Sequence, residues 1–276
     1  MALTRLSRTG GPVLFWRGPD YDSLDLTGPV IANWVHKGVG LFGDYDLGPD
    51  FTLFVPSPSG LHWRELVAIL SVLLGGGRVV LSADSPASGG DATVSGTTSA
   101  ANSPASVTDS ATAGGIDPAT VPDGDFHAFV PLGFETDPAI ASAEEIFVFN
   151  PPALALSTPV DADFVDVNSA IRAYPDVASR RLGRSGTLAV AGAEATTEIP
   201  WTEADASDAG TAGAGARPTG ILVSHATPRP DEWPEFLHHL LGGGETVLGT
   251  GVEVAHITDL ARTLGDVRGR LGSWTK

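Results

Sequence analysis

The sequence predicts an α/β protein of two lobes, built on mostly parallel sheets and carrying a duplicated βαβ unit. Short apolar runs of strand length alternate with longer stretches whose apolar residues recur every three or four positions. The run Leu73-Leu74-Gly75-Gly76-Gly77-Arg78-Val79-Val80-Leu81 returns as Leu240-Leu241-Gly242-Gly243-Gly244-Glu245-Thr246-Val247-Leu248, identical at seven of nine positions. Between the copies lies a stretch poor in large apolar residues. The chain therefore divides into a first lobe at 1–85, a low-complexity connection at 86–125 and a second lobe at 126–276.

Residues 13–16 read as a short apolar strand, with Asp20-Tyr21-Asp22 as the turn behind it. Thr27 is placed to cap a helix with Pro29 in its first turn, where a missing N–H would be unpaired anyway. Ile31, Trp34, Val35, Gly38, Leu41 and Phe42 give that helix one apolar face, and Gly43 with the acidic turn at 44–50 ends it. Residues 51–55 are almost continuously apolar, as in a parallel strand buried on both faces. A helix at 61–74, the glycine turn and a strand at 78–82 complete a βαβ unit, for which a right-handed crossover is expected.

From 83 to 125 the only larger aliphatics are Val94, Val107, Ile116 and Val121. That is too little apolar surface to offset ordering, so the segment reads as a flexible connection. Strands are expected at 127–132, 146–149, 154–157 and 187–190. A helix is expected at 163–173, ended by Tyr174-Pro175, and 204–216 reads as a second low-complexity loop. The second βαβ unit comprises a strand at 220–223, a helix at 230–241 and a strand at 246–248. A last helix, 258–271, would present Leu260, Leu264, Val267 and Leu271 together. Each copy of the repeat follows a helix opening with Trp-x-Glu, at Trp63 and Trp233, and both tryptophans read as core anchors between helix and sheet.

The net charge of −17 opposes non-specific attraction to nucleic acid or anionic lipid. Partners are expected to be small molecules or proteins. Cysteine is absent, which excludes disulfides, thiolate metal sites and cysteine nucleophiles. No apolar run reaches the ~18 residues of a membrane span, and a cytoplasmic location is expected. Only Lys37 and Lys276 are lysines.

Asn33-Trp34, followed by Leu47-Gly48-Pro49-Asp50 and the strand leading to Pro56, resembles the N-terminal domain of AMP-binding, adenylate-forming enzymes such as acyl-CoA synthetases. In that family a Trp-bearing helix leads through an L-G-x-x-x-G-D-type turn to such a strand. Leu73 to Ser82 and the second Leu-Leu-Gly-Gly-Gly unit match the helix, turn and strand that follow. The chain also resembles short, truncated actinobacterial proteins with low similarity to that domain. The family holds ATP phosphates on a Ser/Thr/Gly-rich loop ending in Gly-x-Pro-Lys-Gly. Here Ser95, Gly96, Thr97 and Thr98 begin like that loop but run on to Ala100-Ala101-Asn102 without a lysine. The adenine and ribose motifs and the lid domain with its lysine have no counterpart. The resemblance thus implies ancestry from adenylate-forming enzymes with adenylation lost; no cofactor is expected, ATP or AMP at Ser95 to Thr98 being the alternative.

Other patterns are weaker. Both glycine triplets follow a helix and precede a strand, the reverse of a dinucleotide fingerprint, and read as helix C-caps. Gly249-Thr250-Gly251 follows a strand, but Val254 stands where a third glycine belongs. Asp44, Asp46 and Asp50 resemble a calcium loop in part, with Val55 in place of its glutamate. Adjacent His238 and His239 diverge by about 100° on a helix. Ser224 and His225, at the C-terminal end of a predicted strand with Arg229 nearby, lie where open parallel sheets bind ligands. As neighbours on a strand they point to opposite faces and cannot readily form a serine–histidine couple. The sequence points to a non-catalytic protein that binds a small ligand or a partner protein in the cleft between lobes. The alternative is a residual nucleotide-binding or acyl-adenylate-forming enzyme.

Overall fold

The computed structural model describes residues 2–57, 60–82, 115–177, 183, 185–191, 196–200, 217–224, 227–229 and 231–271. The strands are β1 (Pro12–Arg17), β2 (Ser23–Thr27), β3 (Thr52–Val55), β4 (Arg78–Leu81), β5 (His127–Pro131), β6 (Ile146–Phe149), β7 (Val165–Asp166), β8 (Ser185–Val190), β9 (Thr196–Pro200), β10 (Ile221–Ser224), β11 (Glu245–Gly249) and β12 (Val267–Leu271). The α-helices are α1 (Ala2–Leu6), α2 (Gly28–Gly43), α3 (Trp63–Gly75), α4 (Val167–Ala170), α5 (Trp233–Leu241) and α6 (Val254–Leu264).

Two sheets form, ordered β12-β10-β11-β1-β2 and β7-β6-β5-β3-β4-β8-β9. Every neighbouring pair is parallel except β1–β2 and β8–β9. Both expected βαβ units are present, β3-α3-β4 and β10-α5-β11, each with its two strands adjacent. The sheet boundaries differ from the lobe boundaries expected at 85 and 126. β1 lies parallel to β11, with Leu14 opposite Thr246 and Trp16 opposite Leu248, so the N-terminal strands belong with the C-terminal unit. The seven-stranded sheet, residues 52–200, is an insertion between β2 and β10.

Period-two burial explains why these strands read as continuous apolar runs. Leu14 and Trp16 of β1, Leu53 and Val55 of β3, Val79 and Leu81 of β4, and Phe147 and Phe149 of β6 share one large core with α2, α3 and α5. Phe54, Val80 and Val148 point to the opposite face of the seven-stranded sheet, over Ile116, Phe126 and Ile140. Phe15, Val223 and Val247 point to the outer face of the five-stranded sheet, against Ile257 and Ala261 of α6. Helices α2, α3 and α5 are thus a shared filling between two sheets covered on both faces, as parallel sheets require. Trp63 and Trp233 are both buried in that filling.

The repeated glycines close both helices identically. After α3, Gly76 N–H bonds to Leu73 O and Gly77 N–H to Val72 O; after α5, Gly243 N–H bonds to Leu240 O and Gly244 N–H to His239 O. The middle glycine is left-handed in each, at φ 87 and φ 83, the geometry of a Schellman cap.

Other local expectations needed revision. The helix expected at 258–271 is α6, ending at Leu264, followed by strand β12. Residues 154–157 are not a strand, and 163–173 divide into β7, the short α4 and a 3-10 turn. Thr27 occupies the N-cap of α2 without a side-chain cap bond and ends β2. No helix among the described residues is long and apolar enough to cross a membrane.

Candidate functional site

The C-terminal ends of β1, β3 and β11 converge where the two sheets meet, and four buried polar residues, Ser57, His62, Arg64 and Glu65, stand there. β3 runs out through Pro56 to Ser57, a buried residue at φ 40, in the left-handed region that costs a non-glycine residue energy. Gly60, at φ 91, donates its N–H to Ser57 O at 3.2 Å. Helix α3 then starts from a capping box: His62 Nδ1 accepts Arg64 N–H at 3.1 Å, and Glu65 Oε2 accepts His62 N–H at 2.7 Å. The same Glu65 oxygen accepts the Ser57 hydroxyl at 3.1 Å.

His62 has no free nitrogen. With Nδ1 accepting, the proton sits on Nε2, which lies 3.0 Å from Pro151 O and donates to it. Its ring packs edge-on against Trp16, 4.6 Å between centroids, and beside Phe149. Burial, reinforced by the Arg64 charge, pushes the imidazole pKa down to about 3. Burial pushes the Glu65 carboxyl the other way, up to about 8, against the opposing bonds from His62 N–H and Ser57. At neutral pH both side chains are therefore uncharged.

Arg64 is 5% exposed; its Nη2 donates to Ala153 O and Ala155 O, both at 3.1 Å, and its guanidinium lies 4.3 Å over the Trp63 ring. Burial lowers its pKa to about 10, opposed by the charges of Asp166 and Asp22. Asp22 fixes the same loop through Ala153 N–H, at 2.7 Å. A small pocket beside Arg64 is lined by Trp34, Phe42, Trp63 and Phe129 among others, and its free space of ≈ 10 Å³ is about that of one water. Trp63 Nε1 and Arg64 Nε, both buried, lack a hydrogen-bond partner among the described residues. Across the joint, Trp16 Nε1 donates to Thr250 Oγ1, which donates to Leu61 O, each at 2.9 Å.

Of the residues singled out from sequence, Ser95, Gly96, Thr97, Thr98 and His225 lie outside the described residues. Ser224 is the last residue of β10, buried between Leu248 and Leu271 of the flanking strands. Arg229 is exposed and bound to Glu232, through Nη2 at 2.8 Å and through its backbone N–H at 2.8 Å. Ser224 and Arg229 thus lie at and beyond the end of β10, the strand beside β11. Lys37 of α2 is tied by its ammonium to Tyr174 O and Asp176. Asp44, from the acidic turn, accepts the Tyr174 hydroxyl at 2.6 Å. Gly249-Thr250-Gly251 reaches the joint through the threonine hydroxyl.

The capping box lies outside the residues singled out from sequence. Two charges, Arg64 and Glu65, stand at the mouth of an otherwise apolar helix, with a histidine three residues before the glutamate; that spacing was the available signal.

Neither the protein-family models nor the curated proteins compared with the sequence give a match. Solved structures do. An acyl-CoA synthetase from Brucella canis aligns with 97% of this chain at 15% identity and a TM-score of 0.62. The fold is that of the acyl-CoA synthetases. The anthranilate CoA ligase AuaEII, solved with anthranoyl-AMP, aligns with 93% of the chain at 12% identity and a TM-score of 0.51. Acetoacetyl-CoA synthetase from Streptomyces lividans aligns with 90% at 10% identity and 0.53. The chain spans less than half of these enzymes, 46%, 46% and 38% of their respective lengths. Identity this low establishes shared architecture between the chain and acyl-CoA synthetases, and architecture alone does not carry a reaction.

Proposed function

We propose that this is a non-catalytic protein on the acyl-CoA synthetase fold, cytoplasmic, binding a small ligand or a partner protein. One observation carries the reading. At the meeting of the strand ends, where open sheets place ligands, the histidine, glutamate, arginine and serine side chains are committed to bonds with backbone and with one another. His62 bonds Arg64 N–H and Pro151 O, Glu65 bonds Ser57 and His62 N–H, and Arg64 bonds two carbonyls. Ser57 faces a neutral carboxyl rather than a base, so no activated nucleophile results. The absence of a lysine after Ser95 to Thr98 supports the same reading.

A residual nucleotide-binding or acyl-adenylate-forming enzyme is the second reading, favoured by the fold together with the Ser95-Gly96-Thr97-Thr98 run. Calorimetry with ATP and magnesium, joined to pyrophosphate release over a panel of carboxylic acids, separates the two. No ATP binding and no pyrophosphate is the expected result. Saturable micromolar ATP binding that is weakened by Gly96→Asp would overturn it.

A further inference from the structure

We propose that the Glu65 carboxyl is a pH-sensitive latch on the joint between the two sheets, closed while protonated and loosened when it ionises. The geometry is that of a clasp. One oxygen accepts the Ser57 hydroxyl where the chain leaves β3 and the His62 N–H where it enters α3, so a single atom spans the turn. The turn it closes is strained at Ser57. That turn also makes the contact to the other sheet, through Leu61 O to Thr250 and through the His62 ring to Trp16.

Ionisation has nothing nearby to compensate it. Glu65 is 1% exposed, and a buried carboxylate without a cation is strongly unfavourable. On its own helix, Arg64 turns its guanidinium to Ala153 and Ala155. On the turn, His62 is held neutral. From β1, Arg17 is engaged with Asp25 at 2.7 Å. Asp22 and, from β7, Asp166 act on Arg64. Among the described residues no basic side chain pairs with Glu65; its pKa is raised by burial and lowered only by its two hydrogen bonds. Deprotonation is therefore accommodated by opening the turn to water.

The reporter is the His62 amide, whose acceptor is the latch itself, with the Gly60 amide beside it. Hydrogen exchange of the full-length protein, corrected for intrinsic rates, should show both protection factors level up to about pH 6.5, where His62 protonation in the opened turn offsets Glu65 ionisation, then falling about tenfold per pH unit to about pH 8 and levelling above. Glu65→Gln keeps a neutral acceptor, so its protection should not fall between pH 6.5 and pH 8. Protection independent of pH in the wild type, or an unchanged fall in Glu65→Gln, overturns the proposal. Should Glu65→Gln not fold, the ¹³C carboxyl resonance of Glu65 in the wild type decides: a midpoint in the ordinary carboxylate range overturns the latch, and a midpoint near 8 sustains it.

Discussion

Trp16 and Thr250, 234 residues apart, share a hydrogen bond of 2.9 Å, and the Thr250 hydroxyl in turn donates a hydrogen bond to Leu61 O on the other side of the joint. A hydroxyl that accepts from one sheet and donates to the other has no apolar substitute. Thr250→Val should cost about 1–3 kcal/mol, because the buried indole N–H and the carbonyl both lose their partner. Thr250→Ser should restore most of that. The urea midpoint at constant m-value measures both.

His62 and Glu65 together predict the shape of the pH–stability curve. Glu65 has its folded pKa raised from 4.5 to about 8, so its contribution is full below pH 4.5 and is lost as pH rises to about 8. His62 is lowered from 6.5 to about 3, so its contribution is full above pH 6.5 and is lost as pH falls to about 3. Between pH 4.5 and 6.5 the two slopes, each about 1.4 kcal/mol per pH unit, cancel. A plateau there, with decline between pH 6.5 and 8, is the expected curve from thermal unfolding. Glu65→Gln should remove the alkaline decline and leave the acid one.

Arg64 acts as a staple. Arg64→Met keeps the apolar stem packed on Trp63 but releases Ala153 O and Ala155 O, for an expected loss of about 1–3 kcal/mol. The released loop carries Leu154, 77% exposed, and Leu156, 65% exposed. Limited proteolysis should show a new cut there. Arg64→Lys should fall between the two, since an ammonium cannot fork between both carbonyls in the same way.

Two glycines of one neighbourhood should respond differently to alanine. At Gly76 an added Cβ would approach nothing closer than 3.4 Å, so Gly76→Ala should cost only the left-handed conformation, ~1–2 kcal/mol. At Gly186 of β8 a Cβ would stand 2.3 Å from Leu73 O and 2.5 Å from Leu73 Cα, rigid backbone of α3. Gly186→Ala should force helix and sheet apart and cost on the order of 3 kcal/mol or more. Calorimetric midpoints of the two variants give the comparison.

The parts legible from sequence were those written in local periodicity. Both βαβ units, their glycine turns and the two-face burial of 51–55 follow from spacing alone. Residues 258–271 misled because Leu260, Leu264, Val267 and Leu271 satisfy helical spacing. The helix buries Ile257, Thr258 and Ala261 instead, leaving Leu264 36% exposed. Val267 and Leu271 alternate with arginines in β12. The pairing of β1 with β11 leaves no local trace, so the lobe boundary fell where composition changed rather than where the sheets divide. For the same reason the joint could not be foreseen: Trp16, His62 and Thr250 come from three distant segments. Its chemistry depends on burial, which turns an ordinary helix cap at His62 and Glu65 into a pair of neutral titratable groups.

The insertion of one sheet within the other orders events during synthesis. Strands β3 to β9 emerge as an uninterrupted block and can pair among themselves, whereas β1 has its parallel partner only once residue 249 has been made. Until then the β1–β2 hairpin, which presents Phe15 on one face and Leu14 and Trp16 on the other, is a two-stranded ribbon of marginal stability on its own. Contacts of such long sequence separation slow folding, and the waiting edge of β1 is the segment of this chain that a chaperone would find exposed longest.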